Sequence, residues 1–383
     1  MKSINMLDLQ AEFRLFETDI RAAIDRVLQS QHFIGGREVA ELETALAIRV
    51  GAAHAIAISN GTDALLVALM GLGIGPGDEV IVPAFTFFAT AGSVVRVGAK
   101  PVFADIDPRT FNLDPAAVQA AITPRTRAIM PVHLFGQCAD MDAINAIARK
   151  HGVKVIEDAA QAIGASYRGK QAGTLGDAAS LSFYPTKNLG GFGEGGMIFT
   201  QDAALATVLR QLRNHGESQR YVHERVGGNF RLDTMKAGML LVKLKHLTEF
   251  TRKRQANAGL YNQLLADSPV TTPYVAEGDE HVYHQYSILA DRRDELVTAL
   301  KDKGIGTGIY YPVPLHLQRC FADLNYKKGS LPVTEHACER IVSLPCHPML
   351  STDDVRYVAD CVKESFEGRG SNDGGMRIVA KTR

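Results

Sequence analysis

Long hydrophobic runs, paired cysteines and an excess of either charge are all missing from this 383-residue sequence. No stretch approaches the roughly 18 apolar residues that a membrane-spanning helix needs. The first residues, MKSINMLDLQAEF, carry Asp8 and Glu12 where a signal peptide would have an uninterrupted apolar core. We therefore expect a protein that is neither exported nor inserted in a membrane.

The cysteine and charge counts narrow the class of protein further. The five cysteines are scattered and none forms a Cys-x-x-Cys pair, so we expect reduced thiols in a cytoplasmic protein and no metal site. Lys plus Arg equals Asp plus Glu at 42 each. That balance gives no support to a nucleic-acid partner.

Short apolar runs alternate with helix-length segments through the first half of the chain. Two helices are predicted first, from about Leu9 to Leu28 and from Arg37 to Val50. The predicted strands that follow are HAIAIS (54–59), EVIVP (79–83), KPVFAD (100–105), RAIMPV (127–132), KVIED (154–158) and 178–183. Short buried strands separated by helices indicate a mostly parallel α/β sheet covered on both faces.

A second domain is predicted after this sheet. One long helical stretch from Asp233 to about Leu265 contains no proline and leads into it, followed by the strand HQYSILA and the helix RRDELVTALKDKG. We predict a large α/β domain over 1–245, and a long helix with a small C-terminal α+β domain over 246–366. The glycine-rich polar residues 367–383 are predicted to be a disordered tail.

Candidate ligand-binding residues fall where the predicted strands end, because ligands of open α/β sheets bind outside the carboxyl ends of the strands. Gly61, Thr62 and Asp63 open a helix after the first strand, and helix-terminal N–H groups can bind phosphate, although simple capping is the commoner role. The segment PAFTFF (83–88) offers aromatic rings, which are more often core than ligand platform. His133 follows the fourth strand and, taken alone, is more often structural.

The stretch SLSFYPTKNLGGFGEGGM (180–197) is the sharper signal, because it sets Lys187 among glycines, hydroxyl residues and aromatics. A nucleophilic lysine needs partial desolvation to populate its free amine, although an ordinary lysine beside a turn would fit the same pattern. Asp158 ends the fifth strand, where an acid can cap the next helix or hold a proton on a bound ring nitrogen. Both side chains are expected at one edge of the sheet.

Pyridoxal 5′-phosphate (PLP) fits this set of residues better than other ligands do. It needs an amine, a negative charge beside its pyridine nitrogen, a flat partner for its ring and an anion site. A dinucleotide-binding sheet would carry GxGxxG after its first strand, and that motif is absent there.

From about Ile4 to Val362 the sequence resembles the DegT/DnrJ/EryC1/StrS sugar aminotransferases, which have the fold-type I architecture of aspartate aminotransferase. The matching blocks are FIGGREVAELE, SNGTDALLVAL, GPGDEVIVPAFTF, GAKPVFADID, ITPRTRAIMPVHLFGQ, VIEDAAQAIGA, SFYPTKNLGGFGEGG, RNHGE, GGNFRLD, YYPVPLHLQ and SLPCHP. The resemblance implies a mostly parallel sheet of the seven-stranded type.

The resemblance also implies roles around the cofactor ring. Lys187 resembles the catalytic lysine that binds PLP covalently. Asp158 resembles the partner of the pyridine nitrogen, and Gln161 the partner of the ring's phenolic oxygen. Phe87 stands where relatives place an aromatic residue over the ring, although Phe85 or Phe88 could take that position instead.

The resemblance further implies a phosphate site shared between two chains. Gly61, Thr62, Asp63 and Ser182 resemble its residues. Asn229 resembles a residue that reaches the phosphate from the neighbouring subunit. A homodimer with a shared active site is therefore expected.

The expected reaction is transfer of an amino group from L-glutamate to a keto group of a nucleotide-linked keto-sugar, in the synthesis of amino sugars for polysaccharides or antibiotics. The form SFYPTKNLG is similar to relatives that act at C3, and a C4-specific enzyme or a cyclitol aminotransferase is the alternative. A non-catalytic PLP-binding regulator is a more distant one, because Lys187, Asp158 and Gln161 are intact.

Four residues are candidate substrate contacts, and each could equally be structural: Tyr184, Arg231, Tyr310 and His316. Many relatives have histidine where this chain has Tyr310, so the role of that histidine does not carry over to this chain.

Overall fold

The computed structural model describes residues 3–367. The tail predicted over 367–383 lies outside the described residues, apart from Glu367, which ends the last helix. In the described part of the chain, no helix is both long enough and apolar enough to span a bilayer.

The α-helices are often started by an aspartate. The carboxylates of Asp8, Asp140, Asp202 and Asp233 accept hydrogen bonds from backbone N–H groups of the first turn, which would otherwise lack partners. The helices are α1 Leu9–Ser30, α2 Arg37–Val50, α3 Gly61–Gly71, α4 Ala89–Arg96, α5 Pro115–Ala121, α6 Met141–His151, α7 Ala203–Arg213, α8 Thr234–Leu244, α9 Leu247–Leu264, α10 Arg293–Asp302, α11 Pro332–Arg340 and α12 Thr352–Glu367.

The strands form one large sheet and three small ones. They are β1 His54–Ile58, β2 Glu79–Pro83, β3 Lys100–Ala104, β4 Thr126–Ile129, β5 Lys154–Asp158, β6 Ser166–Tyr167, β7 Lys170–Gln171, β8 Ala178–Ser182, β9 Gly196–Thr200, β10 Glu217–Gln219, β11 Val222–His223, β12 Asp279–Glu280, β13 Tyr286–Leu289 and β14 Ile341–Leu344. The large sheet has seven strands in the order β1-β9-β8-β5-β4-β2-β3. Within this sheet, β9 runs opposite to its two neighbours β1 and β8, and the pairs from β8 to β3 are parallel, so the predicted mostly parallel α/β sheet is confirmed.

Two differences from the sequence-based prediction affect the large sheet and the path into the C-terminal part. Strand β9 was not predicted, although it pairs with both β1 and β8 inside the sheet. The long helix predicted from Asp233 is two helices, because the chain turns tightly where the N–H of His246 donates to the carbonyl of Lys243. The imidazole of His246 then packs on Phe16, with 4.9 Å between the ring centroids.

Hydrophobic packing covers both faces of the large sheet and builds a separate core in the C-terminal part. Helices α3, α4 and α7 cover one face, and α2 and α8 contribute to the cover on the other. A further cluster joins α9, α10 and α12 to β13 and β14, and it includes Ile4 from the start of the chain. The domain bounds at 245 and 246 stay a prediction.

The parallel strands bring their carboxyl ends to one edge of the sheet. β5 and β8 pair in register, with Asp158 opposite Ser180. The loops after β1, β2, β5 and β8 therefore begin at the same edge of the sheet, and they carry the residues singled out from the sequence.

Candidate active site

Lys187 lies in the glycine-rich loop after β8. Its backbone N–H donates to the carbonyl of Tyr184 at 2.8 Å. Gly190 closes this turn, and a β-carbon there would lie 2.2 Å from the carbonyl oxygen of Pro185. The Lys187 side chain is half-buried, and desolvation lowers the pKa of its ammonium to about 8, although the nearby charge of Asp158 opposes the shift. A useful fraction of free amine is therefore present near neutral pH.

Asp158 is the last residue of β5, and its side chain is buried. One carboxylate oxygen accepts a hydrogen bond from the hydroxyl of Thr90 at 2.8 Å. The other accepts one from the N–H of Ala160 at 3.2 Å. Both donors are neutral, so neither of them competes with a bound cation or a protonated ring for the carboxylate.

Gln161 is held from both ends of its amide. Its carbonyl oxygen accepts from the N–H of Phe135 at 2.7 Å, and its nitrogen donates to the hydroxyl of Tyr311 at 3.3 Å. Burial raises the pKa of Tyr311, which stays a neutral phenol. Gln161 therefore presents its amide in a fixed orientation beside Asp158.

The three phenylalanines after β2 have different surroundings. Phe85 is 1% exposed and packs in the core against Phe111 and Phe135. Phe88 stacks on Phe321 at 5.6 Å. Phe87 is 56% exposed, and its ring centroid lies 6.2 Å from that of Tyr311. Of the three, the geometry favours Phe87 as a platform for a flat ligand.

The candidate phosphate site lies between the start of α3 and the end of β8. Gly61 is the first residue of α3, and a β-carbon on it would lie 2.7 Å from the β-carbon of Ser182. Only glycine allows this close approach. The side chain of Asn60 accepts from the N–H of Asp63 at 2.8 Å and donates to its carboxylate at 2.7 Å. Asp63 therefore belongs to the helix cap, and the N–H groups of Gly61 and Thr62 remain the better candidates for phosphate.

Asn229 and Arg231 lie in a segment whose backbone is hydrogen-bonded to the end of β1 in the chain's own fold. The carbonyl of Phe230, between them, accepts from the N–H of Ser59 at 2.9 Å. Asn229 is exposed. Arg231 donates to the amide oxygen of Asn214 at 2.5 Å, and no partner for its buried Nε occurs among residues 3–367.

The remaining candidates for substrate contact differ in exposure. Tyr184 is exposed and lies in the loop after β8. Tyr310 is half-buried against Tyr311, with 6.0 Å between ring centroids, and burial raises its pKa. His316 is buried and its Nε2 lies 3.0 Å from the carboxylate of Glu335. That environment favours the structural role for His316, and Tyr184 is the most accessible of the three.

The residues present fit PLP. A desolvated lysine, a buried carboxylate with neutral donors, an open aromatic ring and a glycine gap at a helix start converge on one sheet edge. The hydroxyl of Ser180 lies opposite Asp158 in the register and is buried without a hydrogen-bond partner in the described part of the protein. Lys187 would hold the cofactor covalently, Asp158 would face its ring nitrogen and Gly61 its phosphate, and PLP would supply an electron sink.

Two residues that contact the site were not predicted from the sequence. Thr90 contacts Asp158, and Tyr311 contacts Gln161. Thr86 and Thr90 are four residues apart around the start of α4. If the sequence had predicted where this helix begins, the proximity of the two hydroxyls could have been expected. Tyr311 gave no such signal, because its approach to Gln161 depends on how the C-terminal part packs against the sheet.

Comparisons with known proteins agree with this geometry. The model of the DegT/DnrJ/EryC1/StrS aminotransferase family matches residues 15–363. A "pleiotropic regulatory protein" of Geobacillus stearothermophilus is 51% identical over 95% of this chain and 99% of its own length. A UDP-2-acetamido-2-deoxy-3-oxo-D-glucuronate aminotransferase of Pseudomonas aeruginosa is 49% identical over 93% and 98% of the two chains.

A third relative and a crystal structure extend the comparison. The UDP-N-acetyl-3-dehydro-alpha-D-glucosamine 3-aminotransferase of Acidithiobacillus ferrooxidans is 45% identical over 96% of this chain and 99% of that protein. The S. venezuelae protein DesV, crystallised in complex with a ketimine intermediate, has a TM-score of 0.93 and 44% identity, covering 95% of this chain and 98% of that one.

Proposed function

Because the chain belongs to the DegT/DnrJ/EryC1/StrS aminotransferase family, we propose that it transfers an amino group from L-glutamate to the C3 keto group of a nucleotide-linked sugar, with PLP as cofactor. The observation that carries this proposal is the convergence of Lys187, with its pKa lowered to about 8, and the buried carboxylate of Asp158. A lysine in that state is both a nucleophile and a proton carrier.

Each of the chain's own site residues is proposed to have a separate role in this reaction. Lys187 Nζ would take the proton from the α-carbon of L-glutamate, and it would return a proton to the corresponding carbon when the sugar is aminated. Asp158 keeps the ring nitrogen protonated, which is the condition for PLP to act as an electron sink. Gln161 and Phe87 fix the plane of the ring, and Gly61 with Ser182 bind the phosphate.

The relatives support C3 as the site of amination. Two of those described above are named for 3-oxo or 3-dehydro UDP-sugars, at 49% and 45% identity. The motif SFYPTKNLG points the same way. We accordingly expect a UDP-linked 3-keto sugar as substrate, and Tyr184 as a side chain that contacts it.

The setting of the reaction is also a proposal. Free cysteines, one of them exposed, suit a reducing cytoplasm. We propose a homodimer in which Asn229 of one chain completes the phosphate site of the other.

The direct test is to supply the PLP-loaded protein with L-glutamate and UDP-N-acetyl-3-dehydro-glucosamine, and to measure 2-oxoglutarate and the aminated sugar by mass spectrometry. A dTDP-linked 4-keto sugar and scyllo-inosose serve as the competing substrates, and Lys187→Ala as the blank. Turnover of the 3-keto sugar alone supports the proposal. Preference for the 4-keto sugar or for scyllo-inosose would replace it with the corresponding alternative.

The regulator alternative draws on the name of the relative from G. stearothermophilus. It predicts a cofactor-loaded protein that releases no 2-oxoglutarate from L-glutamate. Because this half of the reaction needs no sugar, the measurement separates a missing activity from a wrong sugar substrate.

A further inference from the structure

Two threonine hydroxyls form a directed hydrogen-bond chain that ends on Asp158. Thr90 Oγ1 donates to a carboxylate oxygen of Asp158 at 2.8 Å, and Thr86 Oγ1 lies 3.0 Å from Thr90 Oγ1. All three side chains are buried. Since an ionised carboxylate can only accept, the single proton of Thr90 is committed to Asp158, and Thr86 must therefore donate to Thr90.

We propose that Thr90, supported by Thr86, is a positioning residue of the aminotransferase: it holds the Asp158 carboxylate oriented toward the pyridine nitrogen of the cofactor. This inference rests on the role proposed for Asp158. It concerns only the cofactor and glutamate half of the reaction, so it does not depend on which sugar is used.

The contacts of Asp158 show why this hydroxyl matters. Its backbone is fixed by the sheet, because its N–H donates to the carbonyl of Pro131 at 2.8 Å and its carbonyl accepts from the N–H of His133 at 3.0 Å. The side chain has fewer restraints. Ala160 N–H contacts one carboxylate oxygen at 3.2 Å, whereas Thr90 contacts the other at the shorter distance of 2.8 Å. Loss of Thr90 would release the carboxylate to rotate.

The same helix turn also carries the aromatic platform. Thr90 N–H donates to the carbonyl of Phe87 at 3.3 Å, so the first turn of α4 connects the residue proposed to cover the cofactor ring with the hydroxyl that orients its acid. Hydrogen bonds to a charged partner in a buried environment are stronger than those between neutral groups. A directed pair of hydroxyls therefore stabilises the charged form of Asp158 without introducing a competing cation.

The test compares Thr90→Val, which keeps the side-chain shape and removes the hydroxyl, with Thr90→Ser, which restores the hydroxyl. Thr200→Val is the matched control, because Thr200 is a buried threonine of β9 whose hydroxyl donates to the carbonyl of Asp177, away from the site. The first readout is the NMR chemical shift of the pyridine nitrogen in isotope-labelled PLP bound to each variant. The second is the single-turnover rate with L-glutamate.

We expect Thr90→Val to move the ring-nitrogen shift toward the unprotonated form and to slow the glutamate half-reaction about 10- to 100-fold, the loss typical of a hydrogen bond to a charged group. Thr90→Ser and Thr200→Val should keep both values within about threefold of the parent protein. If Thr90→Val does not fold, Thr86→Val takes its place, with a smaller effect of the same sign. A ring-nitrogen shift and rate equal to those of Thr200→Val would overturn the proposal, even if the variant were less stable.

Discussion

Lys187 combines two opposing influences on its amine. Desolvation lowers the pKa from 10.5 to about 8, and the carboxylate of Asp158 raises it. Removing water from an ammonium disfavours its charged form, whereas a neighbouring negative charge favours it. Desolvation wins here, and the result is an amine that is reactive at a pH where an exposed lysine is almost fully protonated.

This balance predicts how covalent capture of PLP depends on pH. In cofactor-free protein, the rate of visible absorbance change on adding PLP should rise with pH, reach half of its maximum near pH 8, and then level off. Asp158→Asn should move the midpoint to lower pH, because it removes the charge that favours the ammonium. A midpoint near the value of an exposed lysine, or one that Asp158→Asn moves upward, would contradict the assignment.

A second residue-scale prediction concerns Phe85 and Phe87. Because one ring is buried and the other is exposed, we expect substitution by alanine to lower stability at Phe85 and cofactor affinity at Phe87. Phe85→Ala removes a core ring that is 1% exposed and should cost about 3–5 kcal/mol of unfolding free energy. Phe87→Ala should change stability by less than about 0.5 kcal/mol. It should instead weaken binding of pyridoxamine phosphate about 2- to 10-fold, the worth of one aromatic stacking contact.

Denaturant unfolding of the cofactor-free variants and titration with pyridoxamine phosphate measure the two effects separately. Each phenylalanine therefore acts as the control for the other. Equal stability losses in the two variants would show that Phe87 is also part of the core, and unchanged affinity in Phe87→Ala would remove it from the cofactor site.

At the scale of elements, the contact between the start of α3 and the end of β8 carries the phosphate site. A β-carbon at Gly61 would lie 2.7 Å from that of Ser182, so Gly61→Ala should push the helix start away from the strand. We expect this variant to lose most of its affinity for the phosphate of the cofactor. Its affinity for inorganic phosphate and for pyridoxamine phosphate should fall together.

Gly259 is the matched control for this substitution. It lies inside α9, and a β-carbon there meets nothing within 4 Å. Gly259→Ala should therefore raise the unfolding free energy by up to about 1 kcal/mol through helix propensity, with no change in affinity. Retained cofactor affinity in Gly61→Ala would mean that the phosphate is bound elsewhere.

The elements that the sequence predicted well are those with local signals. Strand β5 and helix α2 were predicted with the bounds that the structure gives, because apolar periodicity and flanking breaks mark them. Strand β9 follows a run of glycines that reads as loop, and its partners β1 and β8 come from elsewhere in the chain. The turn between α8 and α9 contains neither glycine nor proline, so no local residue type indicates a break in the helix.

The residues of the candidate site also divide into those that a local pattern predicts and those that only the fold reveals. Lys187 and Asp158 could be selected from the sequence, because Asp158 ends strand β5 and Lys187 lies in the loop after β8. Phe87 was preferred to Phe85 and Phe88 only through the family resemblance, since neighbouring turn residues point in directions that only the fold determines. Thr90 reaches Asp158 across 68 positions of sequence, and such contacts arise from packing rather than from pattern.

At the scale of the whole molecule, the hairpin of β10 and β11 and the segment after it expose apolar side chains. Tyr221, in the turn of this hairpin, and Val226, in the segment after it, are 78% and 90% exposed. Exposed apolar side chains on a projecting segment mark contact surfaces for another chain. Asn229 lies in the segment after β11 and is itself exposed, which supports its proposed role in the active site of the other subunit of a homodimer.

A complementation experiment tests this shared site. Lys187→Ala and Asn229→Ala should each lose most activity as purified proteins. When the two are mixed, partly unfolded and refolded together, half of the dimers are mixed, and one of their two sites has both Lys187 and Asn229 intact. Activity should therefore return to about a quarter of the wild-type value, as expected for random pairing in a two-fold symmetric dimer. If each chain supplied its own Asn229, every site would carry one defect, and the mixture would be no more active than the average of its two parents.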